Sequence, residues 1–318
     1  MSQATVTPHV AERVASTGDA TGQTEIQRAG YVALRTPEPE EAAEFAVKHM
    51  GFSLVHVDDE RRHYLAAHGL DPYSLVYAPG EPGIDHVSYV VHDLGALHRA
   101  EHRFRQAGLE VERIDRSPIW RAGAALRIVS PAGHAVHITP GIRVDVPMAA
   151  LVSPPTTAPA PIAFDHVAPR IRDVDEEIDF ATGALGLQES ARVVAPEVGP
   201  VIVFFRSHTL FHCYTIVAGP FNGLHHYQFT LKNAPSVHAA YERMREGGVV
   251  DIVWGPVRHG PGHNVAFYFR DHDGNFVEYS AEEEIILDDA AYVAQEWSAE
   301  NPKFADEWGS APPAVFFE

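Results

Sequence analysis

One cysteine, few basic residues and no long apolar run mark this 318-residue chain, and each shortage excludes something. With Cys213 alone there is no internal disulfide framework, and a lone thiol suits a reducing cytoplasm. The 24 Lys and Arg stand against 43 Asp and Glu, a formal charge of −19, which repels nucleic acid and anionic membrane surfaces. Neither is expected as a partner. The shortage is sharpest in residues 281–318, which hold Lys303 as their one basic side chain and no arginine. No apolar stretch approaches the roughly 20 residues of a membrane helix. The opening MSQATVTPHVAERVAST lacks the basic start and apolar centre of a secretory signal, and residues 1–25 are expected to form a flexible lead-in. Histidine, by contrast, is plentiful at 20 copies. It is the commonest metal ligand and a frequent proton carrier, but its count alone assigns nothing.

The stretch DVPMAALVSPPTTAPAPIA is rich in Pro, Ala and Thr and shows neither helical nor strand periodicity. A linker is expected over residues 145–162, between similar halves at 26–144 and 163–284, with a lid or interface tail over 285–318. Each half divides again. DHVSYVVHDLGALHRAEHRFRQAGLEVE from residue 85 resembles HHYQFTLKNAPSVHAAYERMREGGVVDI from residue 225, each running from an alternating strand through a polar turn into an amphipathic helix. Two further copies begin at residues 29 and 164. SPAGHAVHIT (130–139) and DHDGNFVEYS (271–280) close the second copy of each half. The register holds over long range: Tyr31 precedes His166 by 135 residues, His86 precedes His226 by 140, and His137 precedes Glu278 by 141. The expected fold is α+β, two domains of two βαβββ units each, curled around a cavity.

Glu278 falls where strand alternation asks for a buried side chain, and a buried, unpaired carboxylate costs several kcal/mol. The repeats supply partners. His166, on the first strand of the third unit, and His226, on the first strand of the fourth, share its register. Two histidines and a carboxylate facing one cavity form a facial triad with open positions, which suits non-haem Fe(II), and Mn(II) fits the same set. Between adjacent His225 and His226, the register selects His226, with His225 expected to face away and make an ordinary hydrogen bond. The first half carries Tyr31, His86 and His137 at the equivalent positions, so a degenerate, non-catalytic copy is expected there.

At this point the chain resembles the type I extradiol ring-cleaving dioxygenases of the vicinal oxygen chelate superfamily. FDHV and GLHHYQF look like the two histidine-ligand motifs. HGPGHNVAFYFRDHDGNFVEY looks like the signature that ends in the ligand Glu, with His272 where many members have proline. The resemblance implies His212, in LFHCYTI, as the acid–base histidine, and His259 and Tyr268 as the pair that hydrogen-bonds substrate and dioxygen. It further implies a catecholic substrate, O2 and a homo-oligomer, dimer or tetramer, acting in aromatic-compound degradation. Trp254, the many Phe residues and an arginine-free tail favour a neutral, apolar-substituted or bicyclic catechol, while Arg206 and Arg258 keep a carboxylate-bearing one open. Trp297 and Trp308 are expected as packing anchors of the tail. Two alternatives remain on the same fold: a glyoxalase-type isomerase or thiol transferase, and a non-enzymatic binding protein. The first usually needs another carboxylate ligand, and 201–217, read as the closing strand of the third unit, has none.

Overall fold

The computed structural model describes residues 24–69, 71–141, 159–207 and 209–317. Most of the proposed lead-in and linker lies outside them. Thr24 and Glu25, at the end of the lead-in, are held: Thr24 Oγ1 donates to the Leu185 carbonyl at 2.7 Å, and Glu25 pairs with Arg99 at 2.7 Å.

Two sheets carry the described chain. The first contains β1 (Ile26–Thr36), β2 (Ser53–Val57), β3 (His63–Ala66) and β4 (Leu75–Pro79), then β5 (Gly83–Val91), β6 (Glu112–Ile114), β7 (Ala125–Val129) and β8 (Ala135–Pro140). The second contains β9 (Ala163–Ile171), β10 (Gln188–Ala195), β11 (Gly199–Arg206) and β12 (Tyr214–Ala218), then β13 (Gly223–Thr230), β14 (Ile252–Arg258), β15 (Val265–Arg270) and β16 (Phe276–Ala281). A further strand, β17 (Gln295–Ser298), joins the second sheet from the tail. The spatial orders are β2-β3-β4-β1-β5-β8-β7-β6 and β14-β15-β16-β13-β9-β12-β11-β10-β17. Read from opposite edges they are one order, with β17 added. In each unit the first strand pairs parallel with the last, and the two first strands of a sheet pair antiparallel at its centre. This is the α+β arrangement of βαβββ units read from the repeats. The segment 201–217, taken as one strand, is instead a hairpin: β11 and β12 pair antiparallel through Ile202–Val217 to Phe205–Tyr214.

Local sequence explains the helices. Asp93, Asp173 and Asn233 each stand at the start of a helix and accept from the backbone N–H three residues on, at 2.8, 3.2 and 3.0 Å. They open Leu94–Gln106, Val174–Asp179 and Ala234–Gly247. The first unit has no such cap and begins its helix, Pro39–Phe45, on a proline, whose missing N–H is harmless there. Helices of units one and three both widen into a π-helical turn, Ala46–Met50 and Phe180–Ala184. That shared irregularity supports their common descent as repeats.

Core side chains run across both sheets, including Phe104, Phe164, Phe205, Phe229, Phe267 and Tyr227. Trp297 packs tightly over Gly260, where an added Cβ would meet its ring at 2.7 Å. Trp308, expected as an anchor, is 55% exposed and only stacks on His238. Among the described residues no helix is long and apolar enough to cross a membrane.

Candidate metal centre

The middle strands of the second sheet bring three side chains to one buried point. His166 from β9 and His226 from β13 place their Nε2 atoms 3.2 Å apart. Glu278 from β16 places Oε2 3.2 Å from His226 Nε2. The donor atoms of the three all lie within 4.8 Å of one another, and all three residues are buried. Cis ligands at about 2.1 Å from an octahedral centre stand about 3.0 Å apart, so the two 3.2 Å spacings suit His226 as cis neighbour of both His166 and Glu278 around one divalent ion. The register explains the convergence. Glu278 is opposite Gln228 on β13, two residues beyond His226, as His137 is opposite Ser88, two beyond His86.

Each donor is oriented by a second partner. Asp165 accepts from His166 Nδ1 at 3.1 Å and from Thr230 Oγ1 at 2.6 Å, which leaves His166 Nε2 bare toward the centre. Burial holds His166 well below the usual histidine range, with His212 and His226 adding to the effect, so it sits as the neutral ligand form. For Glu278 burial favours the neutral acid, but the neighbouring His226 and His259 imidazoles outweigh it and hold the carboxyl well below its usual range. Asn264 Nδ2 donates to Glu278 Oε1 at 3.2 Å. With its amide turned to accept from Ser280, Gln228 donates to both carboxylate oxygens at 3.1 and 3.3 Å.

His225 departs from expectation. The β9–β13 register slips between Leu224 and His226, a β-bulge that leaves His225 as the extra residue. It does not alternate away: its Nδ1 lies 2.7 Å from His226 Nδ1, and its Nε2 is 3.0 Å from the Phe316 carbonyl oxygen.

The remaining expected residues flank the centre. His212, two residues before β12, lays its ring against His166 at a centroid distance of 4.2 Å. Its Nδ1 pairs with Glu283, which also accepts from the His212 backbone N–H at 2.8 Å. Burial opposes charge on His212, but Glu283 outweighs it and pushes the imidazole up to about 9. On the other side, His259 Nε2 lies 2.9 Å from Tyr268 Oη and 3.6 Å from Glu278 Oε1. His259 Nδ1 donates to the Ala305 carbonyl at 2.7 Å, so Nε2 is the acceptor for the tyrosine hydroxyl. The loop between them is fixed by Gly262 at φ +72°, where an added Cβ would meet the Phe211 ring at 2.8 Å. Cys213 is buried and its thiol is pushed up to about 12 by burial, an inert side chain.

In the first sheet, the equivalent side chains also meet, but differently. His86 and His137 stack face to face at 3.9 Å, and His86 Nε2 bonds Tyr31 Oη at 2.9 Å. Stacked rings do not point their nitrogens at a common centre, and Tyr73, 4.9 Å from Tyr31, closes the space.

Aromatic rings wall the second-sheet site. Phe204 and Phe211 stand 5.4 and 5.7 Å from the His212 ring, and Trp254 stacks on Tyr268 at 5.6 Å. The two arginines kept open for a substrate carboxylate are already engaged. Arg206 bonds Asp289 at 2.7 Å and Gln188 at 2.6 Å, and Arg258 pairs with Glu307 at 3.6 Å. Sequence reasoning passed over Asp165, Gln228, Asn264 and Glu283. The first two were within reach, one adjacent to a candidate ligand and one two residues along the same strand face.

Residues 163–279 match the Glyoxalase/Bleomycin resistance protein/Dioxygenase superfamily. Metapyrocatechase 2 of Cupriavidus necator is 30% identical over 159 residues, which cover 49% of this chain and 47% of that protein. The chain thus matches about half the length of that curated relative. Among solved structures, the 2,3-dioxygenase LapB from Pseudomonas sp. KL28 superposes with a TM-score of 0.80 at 23% identity, over 88% of this chain and all of LapB. Homoprotocatechuate 2,3-dioxygenase from Brevibacterium fuscum, in complex with 3,4-dihydroxyphenylacetate, gives 0.83 at 18% identity over 94% of each chain. The fold is therefore the two-domain vicinal oxygen chelate fold of the extradiol dioxygenases.

Proposed function

We propose that the chain is an extradiol dioxygenase that opens a catecholic ring beside its hydroxyls and incorporates both atoms of O2. His166, His226 and Glu278 would hold a non-haem Fe(II), and Mn(II) suits the same donors. The observation that carries this reading is the convergence of their three buried donor atoms within 4.8 Å of one another, with His226 3.2 Å from each of the other two. When bound, such a metal brings a chelated catecholate and dioxygen together and lets electron density pass between them. The flanking residues do the proton work. With Nδ1 against Glu283 and its imidazole pushed up to about 9, His212 would present Nε2–H as the acid that supplies a proton as the O–O bond breaks. Tyr268 donates to His259 Nε2, and the pair would steady the substrate oxygens when a substrate oxygen takes over the tyrosine proton and a substrate hydroxyl donates to Nε2 in its place.

The aromatic walls and the engaged Arg206 and Arg258 support a neutral catechol bearing an apolar substituent or a second ring. The enzyme would act in the cytoplasm, in aromatic-compound degradation, as a homo-oligomer. The edge strand β2 supports assembly, since it exposes three apolar side chains, Leu54, Val55 and Val57. Turnover of 3-methylcatechol under ¹⁸O2 tests the reaction: the ring-opened acid should carry two labelled oxygens. Recovery of intact catechol from iron-loaded protein refutes it.

A further inference from the structure

The tail and the candidate metal ligands share one hydrogen-bond chain. From the centre outward it runs His226 Nε2, the His226 ring, His226 Nδ1 to His225 Nδ1 at 2.7 Å, the His225 ring, and His225 Nε2 to the Phe316 carbonyl oxygen at 3.0 Å. A carbonyl oxygen only accepts, so the tail contact is a hydrogen bond only when His225 carries its proton on Nε2. A neutral His225 in that form has a bare Nδ1, which accepts from His226 Nδ1–H. A neutral His226 with its proton on Nδ1 presents a bare Nε2 to the centre, the form that ligates a metal. The docked tail and the ligand-ready His226 are thus one state of the chain.

With both rings neutral, the opposite orientation has His226 Nε2–H donating to Glu278 Oε2, 3.2 Å away. His226 Nδ1 then accepts from His225, and a bare His225 Nε2 faces the Phe316 carbonyl, lone pair against lone pair. The first orientation has the converse defect when the centre is empty, because the bare His226 Nε2 lies 3.2 Å from a carboxylate oxygen. A cation at the centre removes that defect and leaves every link satisfied.

The tail is well placed to respond. The Phe316 ring packs on Tyr268, Phe276 and His225 at centroid distances of 5.0, 4.8 and 5.5 Å, and Arg170 Nη2 also donates to the Phe316 carbonyl, at 3.2 Å. Nearer its start, the tail accepts from His259 at the Ala305 carbonyl and from the Gly260 N–H at the Phe304 carbonyl. We propose that docking of residues 302–317 and metal binding at His166, His226 and Glu278 are coupled through His225, a positioning residue that sets the His226 tautomer. This rests on the metal reading given above.

The test uses the full chain at pH 8.5, with Mn(II) binding followed by electron paramagnetic resonance and tail docking by amide hydrogen exchange. Saturating Mn(II) should slow amide exchange in residues 314–317 about tenfold or more, the scale of an outer partner's effect on metal affinity. Because coupling is reciprocal, His225→Phe should weaken Mn(II) binding by a similar factor and abolish the metal dependence of tail exchange. Bound Mn(II) with unchanged tail exchange in the unaltered chain overturns the coupling alone. So does a His225→Phe chain that keeps the metal dependence. Failure of Mn(II) to bind at all overturns the metal reading, and the coupling with it.

Discussion

Asp165 offers the sharpest quantitative prediction. Its carboxylate accepts from His166 Nδ1 at 3.1 Å and from Thr230 at 2.6 Å. Asp165→Asn keeps an acceptor facing His166 but removes the charge. A hydrogen bond to a charged group is worth about 1 kcal/mol more than a neutral one, so metal affinity should fall about fivefold. Asp165→Ala removes the acceptor, frees the His166 ring to turn, and should cost 10–100-fold, or about 1.4–2.7 kcal/mol. Competition of the protein with a fluorescent chelator for Mn(II) measures both. Far-ultraviolet circular dichroism of the metal-free proteins checks that the fold persists. Equal affinities in all three proteins would mean that His166 is not oriented through Asp165, and the assignment of Nε2 as its donor atom would fall.

Three further outcomes follow from the same geometry. His212→Phe should leave iron bound and cut kcat by about 10²–10⁴, measured by O2 electrode and metal analysis; undiminished turnover removes His212 from the chemistry. Tyr268→Phe should lower kcat more than it raises KM and lower metal affinity by less than it lowers the rate, because the hydroxyl bonds His259 at 2.9 Å beside Glu278; a loss of metal of the same size as the loss of rate contradicts that division. His137 is held down to about 3 by burial. A histidine lowered in the folded state binds its proton first in the unfolded chain. Its contribution is therefore complete above about pH 6.5 and is lost as pH falls toward 3. Between pH 7 and pH 5 this amounts to about 2 kcal/mol. Urea unfolding of metal-free protein at the two pH values should show a loss smaller by about that amount in His137→Gln than in the unaltered chain, the buried His166 and His225 still contributing theirs; identical pH slopes in the two proteins refute the burial argument.

Much of the site was legible because repetition and alternation act together. Residues spaced by 135 to 141 along the chain fall at equivalent strand positions, and a period of two then decides which of them share a face. That logic brought His166, His226 and Glu278 to one point. It failed at His225, where a bulge inserts a residue without any mark in the local sequence, so that two consecutive histidines touch through their Nδ1 atoms. It also failed at Glu283, which reaches His212 only because the chain reverses after β16 through Glu282 at φ +64°. Charge counting kept Arg206 and Arg258 open for a substrate carboxylate. Their partners, Asp289 and Glu307, lie far along the chain in the tail, and such pairings depend on where the tail folds back.

The most direct test is O2 consumption by anaerobically iron-loaded protein offered catechol, 3- and 4-methylcatechol, 2,3-dihydroxybiphenyl and 3,4-dihydroxyphenylacetate. The account predicts one O2 consumed per ring opened, a yellow product, and higher kcat/KM for the neutral apolar-substituted catechols than for the carboxylate. No uptake with any of the five, from protein retaining one iron, would contradict it.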